Sequence, residues 1–176
     1  MTDVRPLSAE LQAPLEAFFR RVPESDHNSF AEDVFEPGAV SGWLADSRSR
    51  RAVAVDGEEV IGYLAVLPLV GWSAHVGSLR VVVDPTRRGK GAGRVLARAG
   101  LVTALDMGLS KIVVEVVADA VPAIGMFQAL GFEPEAVLKD HVRDRSGELR
   151  DLVVLAHLVD GTWSAMAAAG FEEALL

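Results

Sequence analysis

The 176-residue chain contains no cysteine, which removes disulfides, thiolate zinc sites, iron–sulfur ligation and a thiol nucleophile together. Aromatic residues are few, 6% of the chain, with a single tyrosine. Long apolar runs are missing as well: the longest, residues 60–72, is interrupted by Gly62 and Pro68 and falls short of the ~20 residues a membrane span needs. Residues 1–6 carry Asp3 and Arg5 with no apolar run behind them, so no signal peptide is expected and the chain is expected to be soluble and cytoplasmic. Positive charge is in deficit. A formal net charge of -8 and a pI near 5.0 argue against a duplex nucleic-acid partner, whose phosphates would be repelled. Neither a nucleic acid nor a membrane is an expected partner.

Half of the residues are apolar, and no low-complexity segment or short repeat occurs. At roughly 150 residues per domain, the expectation is one compact domain over residues 1–176. One segment departs from the acidic average: Arg80, Arg87, Arg88, Lys90, Arg94 and Arg98 cluster along the chain, which suggests a local anion site.

The periodicity of Leu7, Leu11, Leu15, Phe18 and Phe19 predicts a helix over 7–21, capped by Ser8. Residues 22–42, rich in Pro, Ser, Asp and Gly, read as a long loop or broken helix beside a ligand. Residues 51–55 and 60–67 flank Asp56-Gly57 and read as a hairpin. A strand over 76–83 ends at Asp84-Pro85, and a helix over 91–107 is capped by Gly108. The Val/Ile run 111–117 suits a strand covered on both faces; a short helix over 122–130 stops at Gly131. Strands over 136–143 and 149–158 are joined through Arg145, Ser146 and Gly147, and a final helix is predicted over 162–176, with Trp163, Met166 and Phe171 on its apolar side. Strands mixed with helices and no dividing linker imply one α/β domain.

Arg88-Gly89-Lys90-Gly91-Ala92-Gly93-Arg94 carries the chain from a strand into a helix. Glycines let backbone N–H groups converge, and a helix start adds unpaired donors and a positive dipole end, so phosphate or pyrophosphate belongs there. A P-loop would need Ser or Thr after Gly-Lys, where Gly91 stands. A dinucleotide fingerprint would need a third glycine, where Arg94 stands.

At these residues the chain resembles the GNAT superfamily of N-acetyltransferases, whose phosphate loop reads Q/R-x-x-G-x-G/A after a strand ending in Val-x-Pro. Ala123-Ile124-Gly125-Met126-Phe127-Gln128-Ala129-Leu130-Gly131-Phe132 is similar to the family's A-I-x-x-Y-x-x-x-G-F helix. The resemblance covers residues 53–158. It implies an α/β (α+β) fold, a mixed central sheet flanked by helices with splayed central strands. It also implies an acetyl-CoA site without metal. The pyrophosphate would lie on the backbone N–H groups of Arg88, Gly89, Lys90, Gly91, Ala92, Gly93 and Arg94, the 3′-phosphate near Arg87 and Lys90, and the pantetheine arm would pair with Val81, Val82 and Val83. Phe127 lies in the same donor site. The acceptor would be an amine of a small molecule or peptide, and many members dimerise through C-terminal elements, so a homodimer is compatible.

Acyl transfer needs a neutral amine, and an alkylamine of pKa near 10.4 is about one part in a few thousand neutral at pH 7, so a base must take the proton. Some members use a Glu on the strand before the A-I-x-x-Y helix; Glu115 stands there, the competing readings being a structural ion pair or an edge-exposed side chain. His75 is a second candidate base. His27 falls in the variable loop, and His141 and His157 lack the spacing of a zinc site. Trp43, Tyr63 and Trp72 are candidates for an acceptor pocket or for the core. Two residues depart from the family. Phe127 replaces a tyrosine thought to protonate the departing thiolate, and Ala120 replaces an Asn often on the pantetheine arm. Alternative readings are therefore a CoA-binding regulatory module with impaired catalysis, or a transferase of another acyl group.

Overall fold

The computed structural model describes residues 2–30, 32–144 and 146–159; the helix expected over 162–176 and Arg145 lie outside them. The ordered elements are β1 (Asp3–Pro6), α1 (Gln12–Arg21), α2 (Ala39–Ala45), β2 (Arg50–Asp56), β3 (Glu59–Pro68), β4 (Val76–Val83), α3 (Ala92–Asp106), β5 (Lys111–Val117), α4 (Val121–Gln128), β6 (Glu133–Arg143) and β7 (Leu149–Leu158). They form one seven-stranded mixed sheet in the order β1-β2-β3-β4-β5-β7-β6. All pairs are antiparallel except β4 with β5. Among the described residues, no helix is long and apolar enough to cross a membrane.

Two differences from the sequence reading stand at the N-terminal end. Residues 3–6 form an edge strand on β2, unheralded because only Val4 of the four is not exposed. The helix expected from residue 7 begins as a 3₁₀ turn, Ala9–Leu11, and becomes α1 at Gln12; Ser8 makes no side-chain cap. The 22–42 segment is a broken helix, with a 3₁₀ stretch Glu24–Ser29 ahead of α2.

Each face of the sheet carries its own core. On one face, Leu15, Phe18 and Phe19 of α1, at helical spacing, pack on Val53, Val55, Val60, Tyr63 and Val82. Phe19 meets Phe30, Trp43 and Tyr63 edge-on at 5.4, 6.0 and 5.3 Å, so the aromatics set the position of the loop before α2. Arg51 stacks over Trp43 at 4.2 Å, grips Glu32 through both terminal nitrogens at 3.0 and 2.8 Å, and bonds the Tyr63 hydroxyl. Trp43 and Tyr63 therefore belong to the core, whereas Trp72 is 97% exposed on the β3–β4 connection. On the other face, Leu96, Ala97, Leu101 and Ala104 of α3 pack with Leu64, Leu79, Ile112, Val114 and Phe127.

β5 is covered differently from the expectation of two closed faces. Ile112, Val114 and Val116 are buried beneath α3 and α4, while Glu115 on the opposite face is exposed.

The turn from β4 into α3 is fixed by Asp84. Its carboxylate accepts from the Thr86 N–H at 2.9 Å and hydroxyl at 2.7 Å, and from Arg21 Nε at 3.2 Å. Burial alone would push this carboxyl up, but the two Thr86 bonds and Arg21 outweigh it and hold it below the usual carboxylate range. The stabilisation is then full above the unfolded value near 3.9 and lost as pH falls through the lower folded value. Asp84→Asn is expected to flatten the acid limb of stability below about pH 4, read from urea midpoints against pH.

Gly100 lets α3 lie close on the sheet. A Cβ there would stand 2.5 Å from Leu79 Cδ1 and 3.0 Å from Leu64 Cδ1, both leucines being fully buried. Gly125 on α4 has nothing within 4 Å. Gly100→Val should destabilise by about 1–3 kcal/mol through overpacking, whereas Gly125→Ala should be neutral or gain up to about 1 kcal/mol from helix propensity. Urea denaturation of the two variants checks both.

Candidate active site

β4 and β5 part company early. Their parallel ladder runs only from Val76↔Lys111 to Ser78↔Val113, after which the strands diverge. β4 stays paired with β3 as far as Val83, and β5 stays paired with β7 as far as Val117. Residues 79–83 and 114–117 thus leave one backbone edge facing a widening gap. Alternate N–H and C=O groups on these edges lack a strand partner, the arrangement that accepts an extended chain.

The gap opens into a cleft of about 690 Å³. Its floor is Leu79, Arg80, Val81 and residues 114–117; its walls come from the segment before α2 (Glu24, Asp26, Phe30), from α4 and its approach (Asp119, Ala120, Ala123, Phe127), and from the β6–β7 arm (His141, Val142, Asp144, Ser146, Arg150, Leu152). Five carboxylates line it, Glu24, Asp26, Glu115, Asp119 and Asp144. The Ser146 hydroxyl and then Arg150 hold the Asp144 carboxyl below its usual range.

The glycine loop lies past the open end of β4. A 3₁₀ turn, Pro85–Arg87, leads to Gly89 at φ +74° and Gly91 at φ +90°, both in the left-handed region where glycine is at ease. A Cβ at either would meet nothing within 4 Å, so the loop backbone is open to a ligand. Gly91 caps α3, and the first intrahelical bond runs from Val95 N–H to Gly91 C=O, leaving the N–H groups of Ala92, Gly93 and Arg94 without helical partners. A Cβ on Gly93 would lie 3.1 Å from Met126 Sδ, so this glycine also brings α3 against α4.

The arginine cluster divides by partner. Arg87 is paired with Asp56 at 2.9 Å and Glu59 at 3.0 Å, Arg88 with Asp26 at 2.7 Å, and Arg80 with Glu115 at 3.0 Å. Lys90, Arg94 and Arg98 make no ion pair among the described residues. The cations open to an anion are thus Lys90 and Arg94 at the start of α3, whereas Arg87 is already held by two carboxylates.

Glu115 and Phe127 both line the cleft. Phe127 is 4% exposed and stacks edge-on against Phe132 at 5.2 Å. His75 does not join them: it precedes β4, five residues before Arg80 and so about 16 Å away along the strand, with its backbone oxygen accepting from Ser110 and Lys111. The structure removes it from the cleft, because a strand separates residues linearly. His27 packs between Phe30 and Phe35, and His157 is buried with Nδ1 on the Gly131 carbonyl at 3.0 Å. Tyr63, the single tyrosine, is buried and its phenol pushed up by burial, so no tyrosine stands in for Phe127.

His141 is a cleft residue that sequence reasoning left unused. β6 slips register on β7 between Leu138 and Val142, and within this bulge Asp140 takes φ +52°, its N–H held by Asp151 Oδ1 at 2.9 Å. The bulge turns His141 and Val142 to the cleft. A pairing slip between distant strands leaves no local sequence signal. Among the described residues, no group of three or more His, Asp or Glu is arranged to hold a metal.

The comparisons with known proteins agree with this geometry. Residues 12–132 match the acetyltransferase (GNAT) family. The chain is 34% identical over 127 residues to a mycothiol acetyltransferase of Nocardioides sp., covering 66% of this chain and 42% of that protein. It is 33% identical over 121 residues to streptothricin acetyltransferase of Streptomyces lavendulae, covering 69% and 60%. The chain therefore spans about half the length of the curated relatives it matches. A GCN5-related N-acetyltransferase from Kribbella flavida superposes with a TM-score of 0.75 at 26% identity, over 89% of this chain and 97% of that one. With the parted central strands, the glycine loop at their open end and a family match over more than half of its residues, the chain belongs to the acetyltransferase (GNAT) family.

Proposed function

We propose that this protein transfers an acetyl group from acetyl-CoA to the amine of a small molecule or peptide. The observation that carries the proposal is the gap between β4 and β5, which joins the glycine loop at its open end to a carboxylate-lined cleft. The residues fit the donor: an open loop backbone, three helix-start N–H groups and the unpaired Lys90 and Arg94 suit phosphates, and the bare edge of residues 79–83 suits an amide-rich arm. Acetyl-CoA supplies a thioester, an acyl group already joined to a good leaving group.

Glu115 takes the proton as the amine nitrogen bonds to the acyl carbon; the carbon–sulfur bond breaks and the electron pair leaves with sulfur. Five cleft carboxylates against Arg80 and Arg150 favour a cationic acceptor by Coulomb attraction. Phe127 offers no proton, so the thiolate leaves unassisted or with water, which a thiol of pKa near 8.5 tolerates.

Assay of thiol release from acetyl-CoA with a panel of primary amines, streptothricin and an N-terminal alanine peptide among them, tests the proposal. No release with any amine, despite bound CoA, would refute acetyl transfer. Gly91→Val should abolish the thermal shift that CoA produces, since Val is strained at φ +90° and its side chain would occupy the open loop; an equal shift in parent and variant would remove the loop from the donor site. Phe127→Tyr should raise kcat by up to about 10²-fold if loss of the thiolate limits turnover, with CoA affinity unchanged. A parent that is fully active and gains nothing would show that the thiolate needs no acid.

A further inference from the structure

We infer that Arg80 is a positioning residue for Glu115, holding its carboxylate where β4 and β5 part. The inference rests on the reading of Glu115 as the proton acceptor.

The geometry follows from register. Ser78 and Val113 are the last paired residues, and continuing the parallel register by two places sets Arg80 opposite Glu115 on the same face. That face is the one away from α3, because Leu79 and Val114 point into the α3 core. The two side chains bridge the gap at its narrow end, Arg80 Nη1 to Glu115 Oε2 at 3.0 Å. Arg80 is the more enclosed, with 19% of its side chain exposed against 37% for Glu115. The grip is one-sided. Oε1 of Glu115 makes no hydrogen bond among the described residues, so one oxygen is held and the other is available to an amine.

The surroundings give this single cation its weight. The other titratable groups facing the cleft are Glu24 and Asp26 from the 3₁₀ stretch, Asp119 before α4, His141 on β6, Asp144 after β6 and Arg150 on β7. Arg150 is engaged by Asp119, Asp144 and Glu148 at 3.0, 3.1 and 2.7 Å. Among the described residues, Arg80 is thus the one cation in ion-pair range of Glu115. Without it, no hydrogen bond among the described residues would hold the Glu115 carboxylate in place.

The test uses the full chain and separates turnover from binding. Steady-state kinetics with a primary amine acceptor and acetyl-CoA are compared in the parent, Arg80→Met, Arg80→Lys, Glu115→Gln and the Arg80→Met/Glu115→Gln double variant. The expected result is a kcat about tenfold lower in Arg80→Met with the acceptor KM little changed, most of the loss recovered in Arg80→Lys, and no further loss when Arg80→Met is added to Glu115→Gln. Arg80→Gln serves if the Met variant does not fold. A kcat within about twofold of the parent, a full additional loss in the double variant, or a loss confined to folding stability and CoA affinity would overturn the inference and leave Arg80 a strut. Transfer at the parental rate in Glu115→Gln would instead remove the reading of Glu115 itself.

Discussion

The site depends on the parting of two strands that are each held more firmly by their outer neighbours. β4 is laced to β3 from Gly77 to Val83, and β5 to β7 along its whole length, so neither can follow the other as the sheet twists. At the joined end the packing is tight: a Cβ on Gly77 would stand 2.7 Å from Leu109 Cδ1 and 2.8 Å from Ile112 Cδ1, so glycine allows the hydrophobic wedge to close there. At the other end Ala120, Ala123 and Phe127 reach the gap from the α4 side and leave it lined rather than filled. The open ladder removes several strand hydrogen bonds from the centre of the sheet, and the buried faces on either side offset the loss.

Charge is distributed along this opening in two regions. The loop end presents Lys90 and Arg94 with helix-start N–H groups, a setting for phosphate. The cleft end presents carboxylates, four of which are tied to arginines that reach across element boundaries: Glu115 to Arg80, Asp26 to Arg88, and both Asp119 and Asp144 to Arg150. The second of these links the glycine loop to the segment before α2, so the two ends of the gap share an ion pair at 2.7 Å. Opposite signs are thus separated along one gap of an acidic protein.

Mechanically, the cleft wall before α2 rests on the aromatic core. Phe30 lines the cleft and is held edge-on by Phe19, which also meets Trp43 and Tyr63, and Tyr63 is bonded by the Arg51 that grips Glu32. The few aromatics of the chain are concentrated where the least regular segment must be given one shape.

Sequence alone determined the elements whose signals are local. The Asp56-Gly57 hairpin, the strand-to-helix glycine loop, the proline start and glycine stop of α4 and the mixed α/β class all follow from residue type and period. Glu115 was legible as an odd charge within a valine run, and Phe127 as a departure from a motif. Tertiary structure decided what depends on register and distance. It set Arg80 opposite Glu115, because two strands 35 positions apart align in parallel. It placed His141 in the cleft through a slip of β6 on β7, and carried His75 to the far end of β4. It also assigned Arg87 and Arg88 to carboxylates from distant segments, leaving Lys90 and Arg94 for an anion. A side chain's type and local period are written along the chain, but the partner that neutralises it is chosen by how separate strands align, and no local pattern encodes that alignment.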